Sequence, residues 1–485
     1  MSSSRALAYM AAHEQLRLFR SKKLSPVEVL QAQIARIEAV ESQVNALTYS
    51  HFDEAIEAAK AAEARYVRGD ARPLDGVTVA LKDEYDKAGW ITTAGSKVFK
   101  DAVKRENHPV VDKLIGAGAV LLAQTTVPEL HFIAVTWSDL WGVTRNPWNL
   151  AYTPGGSSGG SAAALAAGMT TLATGSDMGG SIRIPAAFTG LYGFKPPYAR
   201  IAPARDSALL VQASLGPMAR DFLDLVLLQN VMAGPAPGSL PTLRPKLELP
   251  HAYPGLKDWR IAFSMDQGWA QIAPEVRNNT LAALRLLEAS GAVIEEVDLR
   301  LDVTDAELRA LMEKSLLSGP LGADLVELVP RLDELTTYGR YFVERATEMG
   351  PKQAKEAAQA AVRLYQAVDE NVFQKGYSAL ITPTVATSQI AAGFDPTRHD
   401  AIINGTKVDP HVGWFLASLF NLLNWMPVIN VPTGFGPNNV PTGMQIAAQT
   451  YQDVTAAAVA SAYAQAAPPL FRGDAFPDLR HPELG

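Results

Sequence analysis

The sequence predicts an α/β fold built on a large, doubly wound mixed sheet, and three observations carry that prediction. From Gly76 onward, short β-rich runs alternate with helical stretches, the pattern of strands joined by helices that pack on the faces of one sheet. The chain has 485 residues, more than the roughly 250–300 at which one core usually stops growing. Either two domains or one extended sheet wrapped by helices must absorb that length. A further strand–helix–strand unit then follows a proline-rich connector.

In chain order, Ser25-Pro26-Val27-Glu28 is a capping box with proline at the first helical position, and opens a helix to about Val40. A second helix covers Glu54 to Arg68. Val77–Leu81 reads as a strand, His108–Gly118 as a helix, Val120–Gln124 as a strand, and Ala162 to Gly168 as a buried helix. Residues 234 to 256 carry Pro235, Pro237, Pro241, Pro245, Pro250 and Pro254, the text of a connector. Trp259–Ser264, Pro274–Ser290 and Ala292–Val297 read as strand, helix and strand, and residues 304 to 375 as helix-rich. Ala379–Thr384, Asn421–Pro432 and Pro441–Ile446 read as core strands.

Composition narrows the class. Apolar content of 48% with 19% charged residues describes an ordinary globular chain. The net charge of −7 argues against nonspecific binding to nucleic acid or anionic membrane. Without cysteine there are no disulfides, no thiol chemistry and no thiolate metal sites. The apolar stretch Ala6–Ala12 is broken by His13, Glu14 and Gln15, unlike a signal peptide, and no window reaches the about 20 apolar residues of a membrane span. A cytoplasmic chain is expected.

The chemistry concentrates in Gly155-Gly-Ser-Ser-Gly-Gly-Ser161, Gly175-Ser-Asp-Met-Gly-Gly-Ser-Ile-Arg183 and Gly193-Phe-Lys-Pro196. Glycine, lacking Cβ, lets Met178-Gly179-Gly180-Ser181 turn tightly and aim backbone amides at a developing negative charge, which is how an oxyanion hole is built. A flexible linker would not run straight into a buried helix, as the first cluster does. A phosphate-binding loop would need a Gly-Lys-Ser/Thr that is absent here. A serine nucleophile requires a base, and none of the histidines at 13, 51, 108, 131, 251, 399, 411 and 481 lies within either cluster. A buried lysine is the natural substitute, because desolvation disfavours its ammonium form.

Both glycine-serine clusters, Asp177, Arg183, Pro185, the Gly-Phe-Lys-Pro ending, Gly142-Val-Thr-Arg-Asn-Pro-Trp148 and Gly76-Val-Thr-Val-Ala-Leu-Lys-Asp-Glu84 together resemble the amidase signature family of serine hydrolases. The resemblance implies Ser181 as nucleophile, Ser157 as a helper serine with a cis peptide bond, and Lys82 as the base. It implies an oxyanion hole from the amides of Met178, Gly179, Gly180 and Ser181, with Ser158, Asp177 and Arg183 supporting the loop. No metal or organic cofactor is implied. It favours one domain over 1–485: N-terminal helices 1–70, a signature core 74–220, a divergent helix-rich segment 300–375 and C-terminal core strands 376–450, in one twisted mixed sheet sandwiched by helices.

The expected reaction is hydrolysis of amide C–N bonds through an acyl-enzyme. In look the chain is similar to bacterial aryl acylamidases and urethanases, which implies apolar or aryl amides and carbamates. Two alternatives stand beside it: the amidase subunit of a tRNA-dependent amidotransferase, and a noncatalytic protein on the same scaffold. Thr126-Val-Pro-Glu-Leu-His-Phe132 departs from the Met-Asp-Glu-Phe-like text of that amidotransferase component, which counts against the first alternative. Phe132, Trp137, Tyr192, Arg205, Leu209 and Trp414 are expected to line the pocket, and the loop Tyr198–Gln212, with Pro203, Asp206 and Ser207, to border its entrance. The expected partners are a small-molecule amide or carbamate, with no nucleic acid and no membrane span, for a monomer or homodimer.

Overall fold

The computed structural model describes residues 3–205, 207–472 and 475–479. Eleven strands form one mixed sheet. From one edge its order is Leu47–Ser50, Val120–Thr125, Thr78–Lys82, Leu172–Asp177, Ser214–Ala219 and Tyr192–Lys195. Val428–Phe435, Pro441–Ala448, Ala379–Pro383, Arg260–Phe263 and Val293–Glu296 complete it. The strand–helix–strand unit predicted after the connector lies on this sheet, with Arg260–Phe263 and Val293–Glu296 paired in parallel.

The strands that matter to the site sit well inside the sheet. Thr78–Lys82 is buried at every position, as a strand covered on both faces must be, and runs parallel to Val120–Thr125 and Leu172–Asp177. Leu172–Asp177 pairs antiparallel with Ser214–Ala219. Lys82 and Asp177 therefore end neighbouring parallel strands at the same edge of the sheet.

The helix opened by the capping box spans Pro26–Val44, with both reciprocal hydrogen bonds of the box formed. It outlasts the expected end near Val40 because Val40 and Val44 still face the core, and it stops at Asn45, which adopts a left-handed conformation at φ 54°. His108 proves to be an N-cap: its Nδ1 accepts the Val110 N–H at 3.0 Å, and the helix is Pro109–Ala117. Between Met232 and Arg260 there is no helix or strand among the described residues, as the prolines imply.

One expected strand is shorter than the sequence suggested. Of Asn421–Pro432, Leu419–Leu422 is a helical turn and the strand begins only at Val428. The physical reason is polar: Asn421 and Asn424 are buried and need partners, and the turn delivers Asn424 Oδ1 to Lys195 Nζ at 2.7 Å and Asn424 Nδ2 to Val211 O at 2.9 Å. The helix-rich segment folds as Asp305–Leu317, Pro320–Val326, Thr337–Thr347 and Pro351–Asn371. Glu129 fastens it to the signature core, accepting from Ser96 Oγ, Thr336 N and Thr336 Oγ1, each at 2.6 Å. Among the described residues no helix is long and apolar enough to cross a membrane.

Candidate active site

Lys82 is the last residue of its strand and is fully buried. Its Nζ donates to Ser157 Oγ at 2.8 Å and to Ser176 Oγ at 2.7 Å, while its backbone N–H donates to Thr174 Oγ1 at 3.0 Å. Burial pushes the Lys82 ammonium below its ordinary value, with Glu84 and Asp177 opposing the shift. A lysine so placed can exist as a neutral amine and accept a proton.

The two serine clusters meet through the backbone. Ser158 N–H donates to Ser181 O at 3.1 Å, and the Gly156–Ser157 peptide is cis. Ser158 Oγ lies 3.3 Å from both Ser176 N and Ser176 O, stitching the first cluster to the strand of the second. Gly160 must be glycine, because a Cβ there would meet Thr126 N and O at 2.4 and 2.5 Å.

The turn carrying Ser181 is held by a buried ion pair. Arg183 Nε donates to Asp177 Oδ2 at 2.9 Å, and Arg183 also reaches Ala417 O, Asn421 Oδ1 and Gln445 Oε1. Burial raises the Asp177 carboxyl, but Arg183 and the hydrogen bonds around it prevail and hold it at about 2. Gly180 stands at φ 122°, where a Cβ would also meet Ile184 Cδ1 at 2.5 Å and Ala417 Cβ at 2.6 Å. Its N–H donates to Asp177 Oδ1 at 2.7 Å. The expectation of four oxyanion donors is thereby corrected: the Gly180 amide is engaged by the carboxylate, and Met178, Gly179 and Ser181 are the members of the turn that line the cavity.

That cavity is mostly apolar. Phe132, Ile133, Ile184, Met312, Leu316, Phe342, Phe394, Trp414 and Phe415 surround Ser181, with His131, Arg309, Glu313, His411 and Ser418 as the polar members. Arg309 already lies 3.3 Å from Asp409 and 3.6 Å from Glu313, and Glu313 also accepts from Tyr341 at 2.7 Å and Arg345 at 3.0 Å. Phe132 stacks on Phe342 with ring centroids 4.5 Å apart.

Of the six expected pocket residues, Phe132 and Trp414 line the cavity and four lie elsewhere. Trp137 stands behind the wall, donating from Nε1 to Phe394 O at 3.0 Å. Tyr192 points to the other side of its strand, against Phe222; β alternation was legible there, but not which face would be which. Arg205 lies in a polar surface groove with Asp112 and Lys113, and Leu209 in a second apolar groove with Val362 and Trp425. The reason is the path of the loop: Tyr198 N–H donates to Asn424 O at 2.8 Å and Tyr198 Oη to Ala208 O, folding it over the Asn421–Trp425 turn rather than over Ser181. Asp206 lies outside the described residues.

Sequence reasoning missed His131 and Glu84, whereas the helix-rich segment, where part of the pocket was expected, does supply Arg309, Met312, Glu313, Leu316 and Phe342 to the cavity. Leu130 and His131 both take positive φ, at 54° and 64°, which swings His131 into the cavity wall. Nothing local in the sequence signals that turn.

A family model, Amidase, matches residues 28–456. The chain belongs to the amidase family. As an amidase it is 33% identical over 490 residues to the glutamyl-tRNA(Gln) amidotransferase subunit of Ralstonia pickettii (strain 12J), covering 92% of this chain and 95% of that one. The corresponding subunit of Symbiobacterium thermophilum (strain DSM 24528 / JCM 14929 / IAM 14863 / T) is 33% identical over 488 residues, covering 92% and 94%. Among solved structures, a bacterial aryl acylamidase of the amidase signature enzymes superposes with a TM-score of 0.88 at 29% identity, over 95% of this chain and 96% of that one. The amidase signature fold and an enzyme of amide C–N bonds follow from these likenesses.

They also correct the expected partners. The relatives are subunits of an amidotransferase named for a tRNA, which overturns the expectation of a monomer or homodimer that works without nucleic acid. A net charge of −7 describes the whole sequence, not the local face that would meet another subunit. The departure at Thr126–Phe132, read as counting against the amidotransferase relationship, does not interrupt the match either.

Proposed function

We propose that this amidase hydrolyses apolar or aryl amides and carbamates through an acyl-enzyme on Ser181. Neutral Lys82 takes the proton of Ser157, Ser157 takes that of Ser181, and Ser181 Oγ attacks the carbonyl carbon while amides from Met178, Gly179 and Ser181 stabilise the oxyanion. Ser157 passes its proton to the leaving nitrogen and is reprotonated by the Lys82 ammonium, so Lys82 is neutral again when the same relay activates the water that releases the acid or carbamate product. The observation that carries the substrate class is the cavity wall, where Phe132, Phe342, Phe394, Trp414 and Phe415 face the nucleophile and Arg309 and Glu313 are already engaged with other charges.

A second reading, the glutamine-cleaving subunit of a tRNA-dependent amidotransferase, is the one the sequence relatives favour, at 33% identity over 92% of the chain. One panel separates the two: anilides, aryl carbamates, esters and glutamine, with released amine, alcohol and ammonia all quantified. Turnover of anilides and carbamates that exceeds ammonia release from glutamine supports the first reading. Ammonia release from glutamine that exceeds it, and that rises when tRNA is added together with a partner subunit, overturns the first and establishes the second.

A further inference from the structure

A carboxylate stands behind the lysine. Just past the strand end the chain turns sharply, with Glu84 N–H and Tyr85 N–H both donating to Lys82 O, at 2.6 and 3.0 Å. The turn folds the Glu84 side chain back until Oε2 lies 3.7 Å from Lys82 Nζ, and the same oxygen lies 3.7 Å from His131 Nε2. Glu84 Oε1 is buried without a hydrogen-bond partner among the described residues. The side chain is 19% exposed and one of its oxygens lacks a donor, so a carboxylate there gains from a positive charge that forms beside it.

The groups facing Glu84 come from several elements. Lys82 lies on its own strand, Ser176 on the neighbouring strand, His131 on the turn after Pro128, and His108 at the start of the Pro109–Ala117 helix. Asp83 and Asp177 add negative charge nearby. Burial pushes Glu84 up, but Lys82, His131 and Ser176 outweigh it, leaving the carboxyl below its ordinary value. Burial lowers His131 and His108 to about 4, so both are neutral at neutral pH, and the positive charge left for Glu84 to stabilise is the ammonium that forms on Lys82.

We propose that Glu84 is a positioning residue of the relay: its carboxylate stabilises the ammonium formed when Lys82 takes the proton of Ser157, and so sets the pH at which Lys82 begins to act. The inference rests on the relay proposed above. In the step itself, the Ser157 O–H bond breaks, a Lys82 N–H bond forms, and Glu84 stays ionised throughout. The arrangement parallels the acid behind the histidine of a Ser-His-Asp triad, which stabilises the cation without taking the proton.

The test is the pH dependence of two reactions of the full-length chain: inactivation by a small fluorophosphonate, and anilide hydrolysis. An opposite charge within about 4–6 Å moves a titration by roughly 1–3 units. Glu84→Gln is therefore expected to lower the midpoint of both profiles by about 1–3 pH units and to reduce the alkaline plateau. Glu84→Asp keeps the charge on a shorter arm and is expected to fall between wild type and Glu84→Gln; it also serves if the glutamine variant fails to fold. A midpoint that stays in place or rises, whatever happens to the plateau, overturns the inference and leaves Glu84 a structural residue. Lys82→Ala is run in parallel: amide turnover near wild type in that variant refutes the relay itself, an outcome distinct from an unmoved midpoint in the Glu84 variants.

Discussion

Ser181→Ala is expected to abolish covalent labelling by fluorophosphonates and all amide turnover, as read by mass spectrometry of the labelled chain and by product release. A tenth of wild-type turnover in that variant would remove Ser181 from the mechanism. Ser157→Ala and Lys82→Ala are expected to lower amide hydrolysis by about 10²–10⁴-fold. Esters should suffer less, because an alkoxide departs without the proton that Ser157 supplies to an amine. Equal losses on both substrate types would refute that proton return. The pH profile follows from burial: Lys82 is held below its ordinary value of 10.5, so activity is expected to rise with pH to a plateau reached earlier than an exposed lysine would allow. A profile that falls as pH rises through neutrality would exclude a neutral lysine as the base.

Among the elements, the turn from Asp177 to Arg183 depends on strands remote in sequence. Arg183→Met leaves Asp177 a buried carboxylate without its cation, and a loss of about 3–5 kcal/mol in denaturant unfolding is expected. The same pair sets an acid limit. Asp177 titrates at about 2 in the folded chain against an ordinary 3.8, so its stabilisation is present above pH 3.8 and is lost as pH falls toward 2. Unfolding followed over that window checks the sign, and an Arg183→Met variant that lost no stability would show that the pair does not hold the turn. The turn itself was legible because glycine spacing and flanking charges are local signals. The helix start at Ser25 was equally plain, whereas His108, read as the first helical residue, stands one place earlier as the cap. The Asn421–Met426 turn was not, since what bends it is the demand of Lys195, a residue far away in the chain.

At the scale of the molecule, the pocket was the least legible part. The sequence named aromatic residues but could not choose the face of Tyr192 or the path of the Tyr198–Gln212 loop, because both follow from packing between distant segments. The fold class was legible because strand and helix alternate from Gly76 onward and again after the proline-rich connector. The N-terminus shows the same long-range logic: Asp224 accepts from Ala12 N–H at 2.7 Å and His13 N–H at 2.9 Å, and lies 2.8 Å from His13 Nδ1. The hydrogen bond to Asp224 raises the His13 imidazolium above its ordinary 6.5, against the effect of burial. Its stabilising effect is fully present below pH 6.5 and fades as pH rises through the folded value. Protection of the Ala12–Arg20 amides, corrected for intrinsic exchange, is expected to fall over that range in wild type and to lose the dependence in His13→Ala. Protection that stays constant across it in wild type would show that His13 does not tether the helix.

The reach of Arg183 also has a consequence in time. Its acceptors at Ala417, Asn421 and Gln445 lie 234, 238 and 262 positions further along the chain. A ribosome adding roughly 5–20 residues each second needs on the order of ten to fifty seconds to travel from the arginine to the last of them. Through that interval the nascent turn holds Asp177 and Arg183 but none of the C-terminal groups that fix their orientation. A chain that ends before Ala417 carries every residue of the relay and yet lacks all three acceptors that clamp the turn presenting the nucleophile, while one cut before the Pro441–Ala448 strand lacks Gln445. Full turnover is therefore expected only once those C-terminal acceptors have been made, and a chain truncated before Ala417 is expected to lose most of it.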